Sequence, residues 1–204
     1  MRSANAADIP AMVGVLARAF YDDPPMVWML PDHQSRDRRL RRMFVTILRH
    51  EAMRHGGVEV AWSGDRIVGA AVWMPPDTWK PSSAAQQLRS APGFIHAFGR
   101  RISAASALLS ASLKAHPAQS HWYLSFVGVD PKVQGSGAGA ALIRSKQAHM
   151  DALGQPSFLE SSKVSNVPLY EHFGYAVTGK SEVPDGAPVL TPMWRDAVSG
   201  APVG

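Results

Sequence analysis

Cysteine is absent from this chain of 204 residues. That absence excludes a disulfide framework, thiolate metal sites and a cysteine nucleophile. There is no His-Glu-x-x-His pattern either, so no metal site is expected. Long apolar runs are missing: no stretch reaches the roughly 18 consecutive apolar residues of a membrane span. Asp8 and Pro10 interrupt the start, where a signal peptide would be unbroken and apolar. A cytoplasmic protein with no membrane partner is the expectation. Acidic residues are the scarcer charge, 16 against 21 Lys and Arg, for a net charge of +5. Much of the excess is Arg36, Arg38, Arg39, Arg41, Arg42, Arg49 and Arg54. No aromatic residues interleave them as a base-stacking surface would need. Their spacing against Leu40, Phe44, Ile47 and Leu48 fits the solvated face of an amphipathic helix, so nucleic acid is not the expected partner.

What is present is one domain's worth of patterned sequence, 46% hydrophobic. Residues 5–19 read as a helix capped by Asn5 or Asp8, with Ile9, Met12, Val13, Leu16 and Phe20 on one face. Pro24, Pro25 and Pro31 break the chain after it. A second helix spans 35–55 and stops at Gly56-Gly57. A hairpin pairs 58–62 with 67–74. Residues 82–115 are helical in pieces, with breaks expected near Pro92-Gly93 and Gly99. A strand at 120–129, a helix at 138–153, a short strand at 158–160, a short helix at 166–172, and strands at 175–179 and 189–194 complete the pattern. This is an α/β fold with a mixed sheet. Residues 197–204 are expected to be a disordered tail.

The most telling segment is the strand ending in Val127-Gly128-Val129, succeeded by Asp130-Pro131-Lys132-Val133-Gln134-Gly135-Ser136-Gly137-Ala138-Gly139-Ala140 and then a helix. Strand, glycine loop and helix form an anion site: glycines let main-chain N–H groups converge, and the helix N-terminus adds partial positive charge. The segment therefore predicts a bound phosphate or pyrophosphate. Gly135-x-Gly137-x-x-Ala140, with Glu160 about 20 residues on, formally matches a dinucleotide fingerprint. Two features argue against that ligand. Only about 65 residues remain after the loop, too few to complete a dinucleotide domain. Asp130 to Gln134 also separate strand from glycines, whereas a dinucleotide turn leaves its strand almost directly. A P-loop is excluded because no Lys-Ser/Thr comes after the glycines.

Gln134-x-x-Gly137-x-Gly139 after Val-Gly-Val-Asp-Pro resembles the acyl-CoA pyrophosphate loop of the GNAT superfamily of N-acetyltransferases. Phe158-Leu159-Glu160 and Asn166-Val167-Pro168-Leu169-Tyr170-Glu171-His172-Phe173-Gly174-Tyr175 are similar to a second element of that family, Asn-x4-Tyr-x3-Gly-Phe, with three residues rather than four between Asn166 and Tyr170 and with Tyr175 at the Phe position. Within the family, the puromycin N-acetyltransferases are similar at Trp122-Tyr123-Leu124, Phe158-Leu159-Glu160 and Glu182-Val183-Pro184-Asp185-Gly186. The resemblance is dense over 120–195, weak over 1–80 and absent over the insert. It implies a single acetyltransferase domain over 1–196. The fold would be a mixed, mostly antiparallel sheet flanked by helices, with a helical insert at about 78–117 between the third and fourth strands. The first strand would be reduced to Met1–Ala4.

The resemblance also implies roles. Acetyl-CoA would be the co-substrate and a small-molecule primary amine the acceptor, acetylated by direct attack; a non-catalytic acyl-CoA-binding module or sensor is the alternative. Main-chain N–H groups of Gln134, Gly135, Ser136, Gly137, Ala138, Gly139 and Ala140 would hold the pyrophosphate. Ser136 replaces the basic residue the family often has, and Lys132, Arg144 and Lys146 are the nearby cations. Val127, Gly128 and Val129 would pair with the pantetheine as an added strand, with Gly128 admitting it closely. Asn166 would reach the same arm, or cap its helix. Tyr170 is the candidate acid for the leaving thiolate. Glu160 is the candidate base or a substrate-orienting carboxylate, with His121 and His172 as alternatives. Phe20, Tyr21, Asp22, Asp23, Trp28 and Trp122 are the candidate acceptor site, acids attracting a cation and rings covering it. Self-association into a homodimer is left open.

Overall fold

Strand β3 (Arg66–Met74) shows how the layers are built. Ile67, Ala70, Val72 and Met74 enter one apolar cluster, while Val68, Ala71 and Trp73 enter another. Successive side chains of a strand point to opposite faces, so a continuous apolar run means a strand covered on both sides. The computed structural model describes residues 1–80 and 83–198, and has helices on both faces of a seven-stranded sheet ordered β1-β2-β3-β4-β5-β7-β6. The remaining strands are β1 (Arg2–Ser3), β2 (Val58–Ser63), β4 (Trp122–Val129), β5 (Ser157–Ser161), β6 (Ala176–Val177) and β7 (Thr191–Arg195). Every pairing is antiparallel except β4 with β5. The mixed, mostly antiparallel sheet is thus as expected.

Helices α1 (Ile9–Ala19) and α3 (His33–His50) cover one face, their Leu16, Leu40, Phe44 and Leu48 sealed in its cluster. Helices α6 (Ala138–Ala152) and α7 (Val167–His172) cover the other, with Leu142, Met150 and Tyr170 packed around Trp73. The short helix α2 (Pro24–Met29) starts on the two prolines read as breakers; proline at the first helical positions gives up only N–H groups that have no partner anyway. The insert lies between β3 and β4 as two helices, α4 (Ala84–Phe98) and α5 (Ile102–Ala115), and part of its start falls outside the described residues. The tail expected at 197–204 lies outside them from residue 199 on.

Three expectations are corrected by the structure. α4 runs through Pro92-Gly93 unbroken, and the break falls at Gly99, whose φ is +52°. The cause is packing: a Cβ on Gly93 would come within 2.2 Å of Thr46 Oγ1, so α3 and α4 touch closely just where propensity predicts a gap. The last two strands are shorter or shifted, with residues 178–190 running as loop between them. Arg36 is not on the solvated face of α3. It is 6% exposed, donates to the carbonyls of Leu30 and Pro31, and lies over the Tyr21 ring.

Candidate active site

The site arises where two parallel strands part. β4 pairs with β5 at Trp122–Ser157, Tyr123–Phe158 and Leu124–Leu159, and no further. Beyond that point β4 keeps only β3, and β5 keeps only β7. The divergence coincides with a bulge: Phe126 pairs with Val72 and Leu124 with Trp73, leaving Ser125 as an extra residue. A bulge bends its strand and resets which side chains face which way. Before it, Trp122 and Leu124 point to the α6 face; after it, Val127 does. Phe126 turns to the α1 face, where its ring meets Phe20 and Phe44 edge-on.

The gap is a cleft of about 360 Å³ lined by the freed edge of β4 from Leu124 to Val129, by Leu159, Glu160, Ser162, Lys163, Asn166 and Tyr170, and by Ala19, Phe20 and Asp23 at the end of α1. Gln134 lines its end. From there the loop passes Gly135 and Gly137 at φ +85° and +80°. That left-handed region favours glycine. Gly137 is the N-cap of α6, and no side chain caps that helix, so its first-turn N–H groups are open to a ligand. The loop residues Gln134–Gly137 are exposed, and Ala138–Ala140 are half-buried.

Of the expected cofactor residues, Val127, Gly128, Val129, Gln134, Asn166 and Tyr170 line the cleft. Gly135, Ser136, Gly137, Ala138, Gly139 and Ala140 continue directly as the loop and helix start. Asn166 occupies the N-cap position of α7 without making a capping bond, so its amide is free for other use. Gly128 also has a packing reason, separate from the one expected. A Cβ there would lie 2.9 Å from Ala19 Cβ and 3.2 Å from Leu16 Cδ2, so glycine lets α1 sit closely on β4. Of the nearby cations, Lys146 is committed to Glu59 at 3.2 Å and Arg144 lies over Phe173. Lys132 and Arg144 are exposed, and Lys132 alone of the three precedes the loop directly.

Tyr170 and Glu160 share the cleft. Tyr170 is 9% exposed, and its hydroxyl has no hydrogen-bond partner among the described residues. Burial, then the nearby Asp23 carboxylate, push its phenol up to about 12, so it stays protonated. The Glu160 carboxylate accepts from Ser112 Oγ of α5 and, at 2.5 Å, from Ser181 Oγ of the loop before β7. Its pKa is raised by burial, a shift that the two serine hydroxyls partly offset by favouring the charged form. Asp23 is 5% exposed and accepts from Ser162 Oγ at 2.5 Å; burial raises its pKa too. Burial, reinforced by the Glu160 charge, also pushes the Tyr123 phenol up.

Of the expected acceptor residues, Phe20 and Asp23 line the cleft and four do not. Tyr21 donates to the His33 carbonyl at 2.8 Å. The Asp22 side chain is 84% exposed, near Arg36. Trp28 carries Arg101 over its ring. Trp122 is on the opposite face, its indole N–H donating to Gln155 Oε1 at 2.6 Å and its ring under Lys146. Neither alternative histidine is in the cleft: His121 is fully buried against His116 and the Gln119 carbonyl, and His172 lies at the far side of α7 beside Phe173. The serines 112, 162 and 181 were not anticipated. Only Ser162 left a signal, two residues after Glu160 and so on the same side of the chain.

A family model described as an acetyltransferase (GNAT) domain matches residues 82–196. A Schizosaccharomyces pombe protein described as an uncharacterized N-acetyltransferase is 28% identical over 180 residues, covering 84% of this chain and 72% of its own length. A Corynebacterium glutamicum protein described as histone acetyltransferase HPA2 and related acetyltransferase superposes with a TM-score of 0.75 at 26% identity, over 100% of this chain and 97% of its own. A Drosophila melanogaster polyamine N-acetyltransferase shares the fold at a TM-score of 0.56 and 17% identity, over 96% and 98% of the two chains.

Proposed function

This chain belongs to the GNAT acetyltransferase domain family, and from that premise we propose that it transfers the acetyl group of acetyl-CoA to a primary amine of a small molecule by direct attack. Residues 1–196 act as one acetyltransferase domain, and the likeness of its C-terminal half to puromycin N-acetyltransferases is not extended to puromycin as acceptor. The observation that carries the reading is the meeting of Glu160 and Tyr170 in one cleft bordered by the unpaired edge of β4. The pyrophosphate lies on the N–H groups from Gln134 to Ala140. The amide-rich pantetheine pairs with the freed main chain of Ser125–Val129 as a strand would. Asn166 is within the cleft to reach it, and Phe20 and Asp23 face the acceptor.

The acceptor arrives as an ammonium ion and gives one proton to the Glu160 carboxylate. The raised pKa of that carboxylate suits the exchange. The neutral nitrogen attacks the thioester carbonyl carbon, forming the C–N bond. As the C–S bond breaks, the electron pair leaves on sulfur and the phenol of Tyr170 protonates it. The nitrogen loses its second proton as the amide forms, which restores the tyrosine directly or through water.

The test is thiol release from acetyl-CoA with a panel of primary amines. Release that depends on both acetyl-CoA and an amine supports transfer. Tight acetyl-CoA binding with no release for any amine would instead favour the non-catalytic acyl-CoA-binding alternative.

A further inference from the structure

The cleft carries more negative charge than its own residues neutralise. Asp23 and Glu160 both line it, and Lys163 is the one basic residue among its lining. Neither carboxylate forms an ion pair among the described residues; Asp23 is held by Ser162, and Glu160 by Ser112 and Ser181. Lys163 is near enough to Asp23 to be felt electrostatically but forms no salt bridge with it. Buried charges are normally paired, and hydroxyl donors leave the net charge in place. The two carboxylates are held by different groups, Asp23 by Ser162 just past the end of β5 and Glu160 by Ser112 and Ser181, and so are distinct positions in the cleft. Phe20, Leu124 and Phe126 wall the same cleft with apolar surface.

During acetyl transfer Glu160 takes the proton of the reacting nitrogen and so becomes neutral. Asp23 takes no part in that exchange, and its carboxylate is left with a serine hydroxyl and no cationic partner among the described residues. A second positive centre on the acceptor would neutralise it. We propose that the acceptor is dicationic, an α,ω-diamine or an amine with a guanidinium at its far end, its reacting nitrogen at Glu160 and its distal cation held by Asp23. The apolar walls take the methylene spacer. This rests on the acetyl-transfer reading and names the class of substrate for it.

The experiment measures thiol release at saturating acetyl-CoA with putrescine and agmatine against 1-butylamine, alongside direct titration of acetyl-CoA. The expected kcat/KM ratio of putrescine to butylamine is about 30 or more, as a desolvated charge pair warrants. In Asp23→Asn the ratio falls to about 3, chiefly through the KM of the diamine. Equal use of the mono- and dications by the wild type, or an undiminished ratio in the variant, overturns the proposal. Should Asp23→Asn fail to fold, Ser162→Ala replaces it, with an expected loss of about tenfold in the same ratio and the same contrary outcome. Acetyl-CoA that binds but is never discharged by putrescine or agmatine also overturns it. Acetyl-CoA that does not bind at all strikes the transfer reading instead, so the two failures are distinct.

Discussion

Asp23 and Ser162 are joined by a 2.5 Å hydrogen bond although 139 residues separate them in the chain. That bond closes one wall of the cleft: it ties the turn after α1 to the residue just past β5, across the gap where β4 and β5 part. Tyr170 feels the same carboxylate from the α7 side. The cleft is therefore assembled from four stretches of chain, and the bond between Asp23 and Ser162 is invisible in any one of them.

Tyr170→Phe removes one oxygen from a group that has no hydrogen-bond partner to lose. The fold should be unperturbed and acetyl-CoA affinity nearly the same. If the phenol protonates the leaving sulfur, kcat drops by about 100-fold or more. Steady-state kinetics with a parallel titration of acetyl-CoA reads both; an unchanged kcat removes the tyrosine from the chemistry.

Glu160 gives a pH signature. As a base it must be ionised, and burial raises its pKa, so kcat/KM should fall on the acid side at a pH above the ordinary carboxylate range. Ser112→Ala and Ser181→Ala each remove a donor that favours the charged form, and each should move that acid limb to still higher pH. The sign for stability is opposite to that for activity. A carboxylate whose pKa is raised by folding weakens the fold once pH exceeds its unfolded value, because the folded state resists ionisation. Glu160→Gln should thus raise the melting temperature at pH 8 more than at pH 4, while abolishing most turnover. A melting temperature that falls equally at both pH values contradicts this.

Gly137 at φ +80° tests the loop. Gly137→Val puts a β-branched residue where only glycine sits easily and crowds the N–H groups at the start of α6. Acetyl-CoA binding should be lost while circular dichroism still reports a folded chain. Retained micromolar affinity would mean that the pyrophosphate lies elsewhere.

Gly128→Val tests the packing account. Its Cβ would press on Ala19 at 2.9 Å, and overpacking of this kind costs about 1–3 kcal/mol. Chemical denaturation should show that loss. A variant of wild-type stability with weakened acetyl-CoA binding would return Gly128 to the role of admitting pantetheine.

Much of this architecture is legible in the sequence because it is written locally. The apolar run into Val129, the stop at Asp130-Pro131, the glycines and the helix-forming residues after them identify a strand, a glycine-rich loop and a helix in turn. Asn166 and Tyr170 are found from a motif spacing on one short helix. What escaped depends on contacts between distant segments. Pro92 reads as a break, yet α4 is held through it by the seat of Gly93 on Thr46. Trp122 looks like a site residue next to Tyr123, but the parity of β4 turns it to the α6 face, and the bulge at Ser125, which decides what faces the cleft after it, has no local signature. Tyr21 and Trp28 look like acceptor rings and instead stack with arginines of α3 and of the segment leading into α5. Ser112 and Ser181 have meaning only once both are brought to Glu160.

The claim on which the rest stands is that the loop from Gln134 to Ala140, with the freed edge of β4, binds acetyl-CoA. Calorimetric titration of the purified protein with acetyl-CoA, and separately with NADH, addresses it directly. The account predicts micromolar binding of acetyl-CoA and no heat from NADH. Binding of NADH with silence from acetyl-CoA would contradict it, and would make Gly135, Gly137, Ala140 and Glu160 the dinucleotide fingerprint that their spacing formally allows.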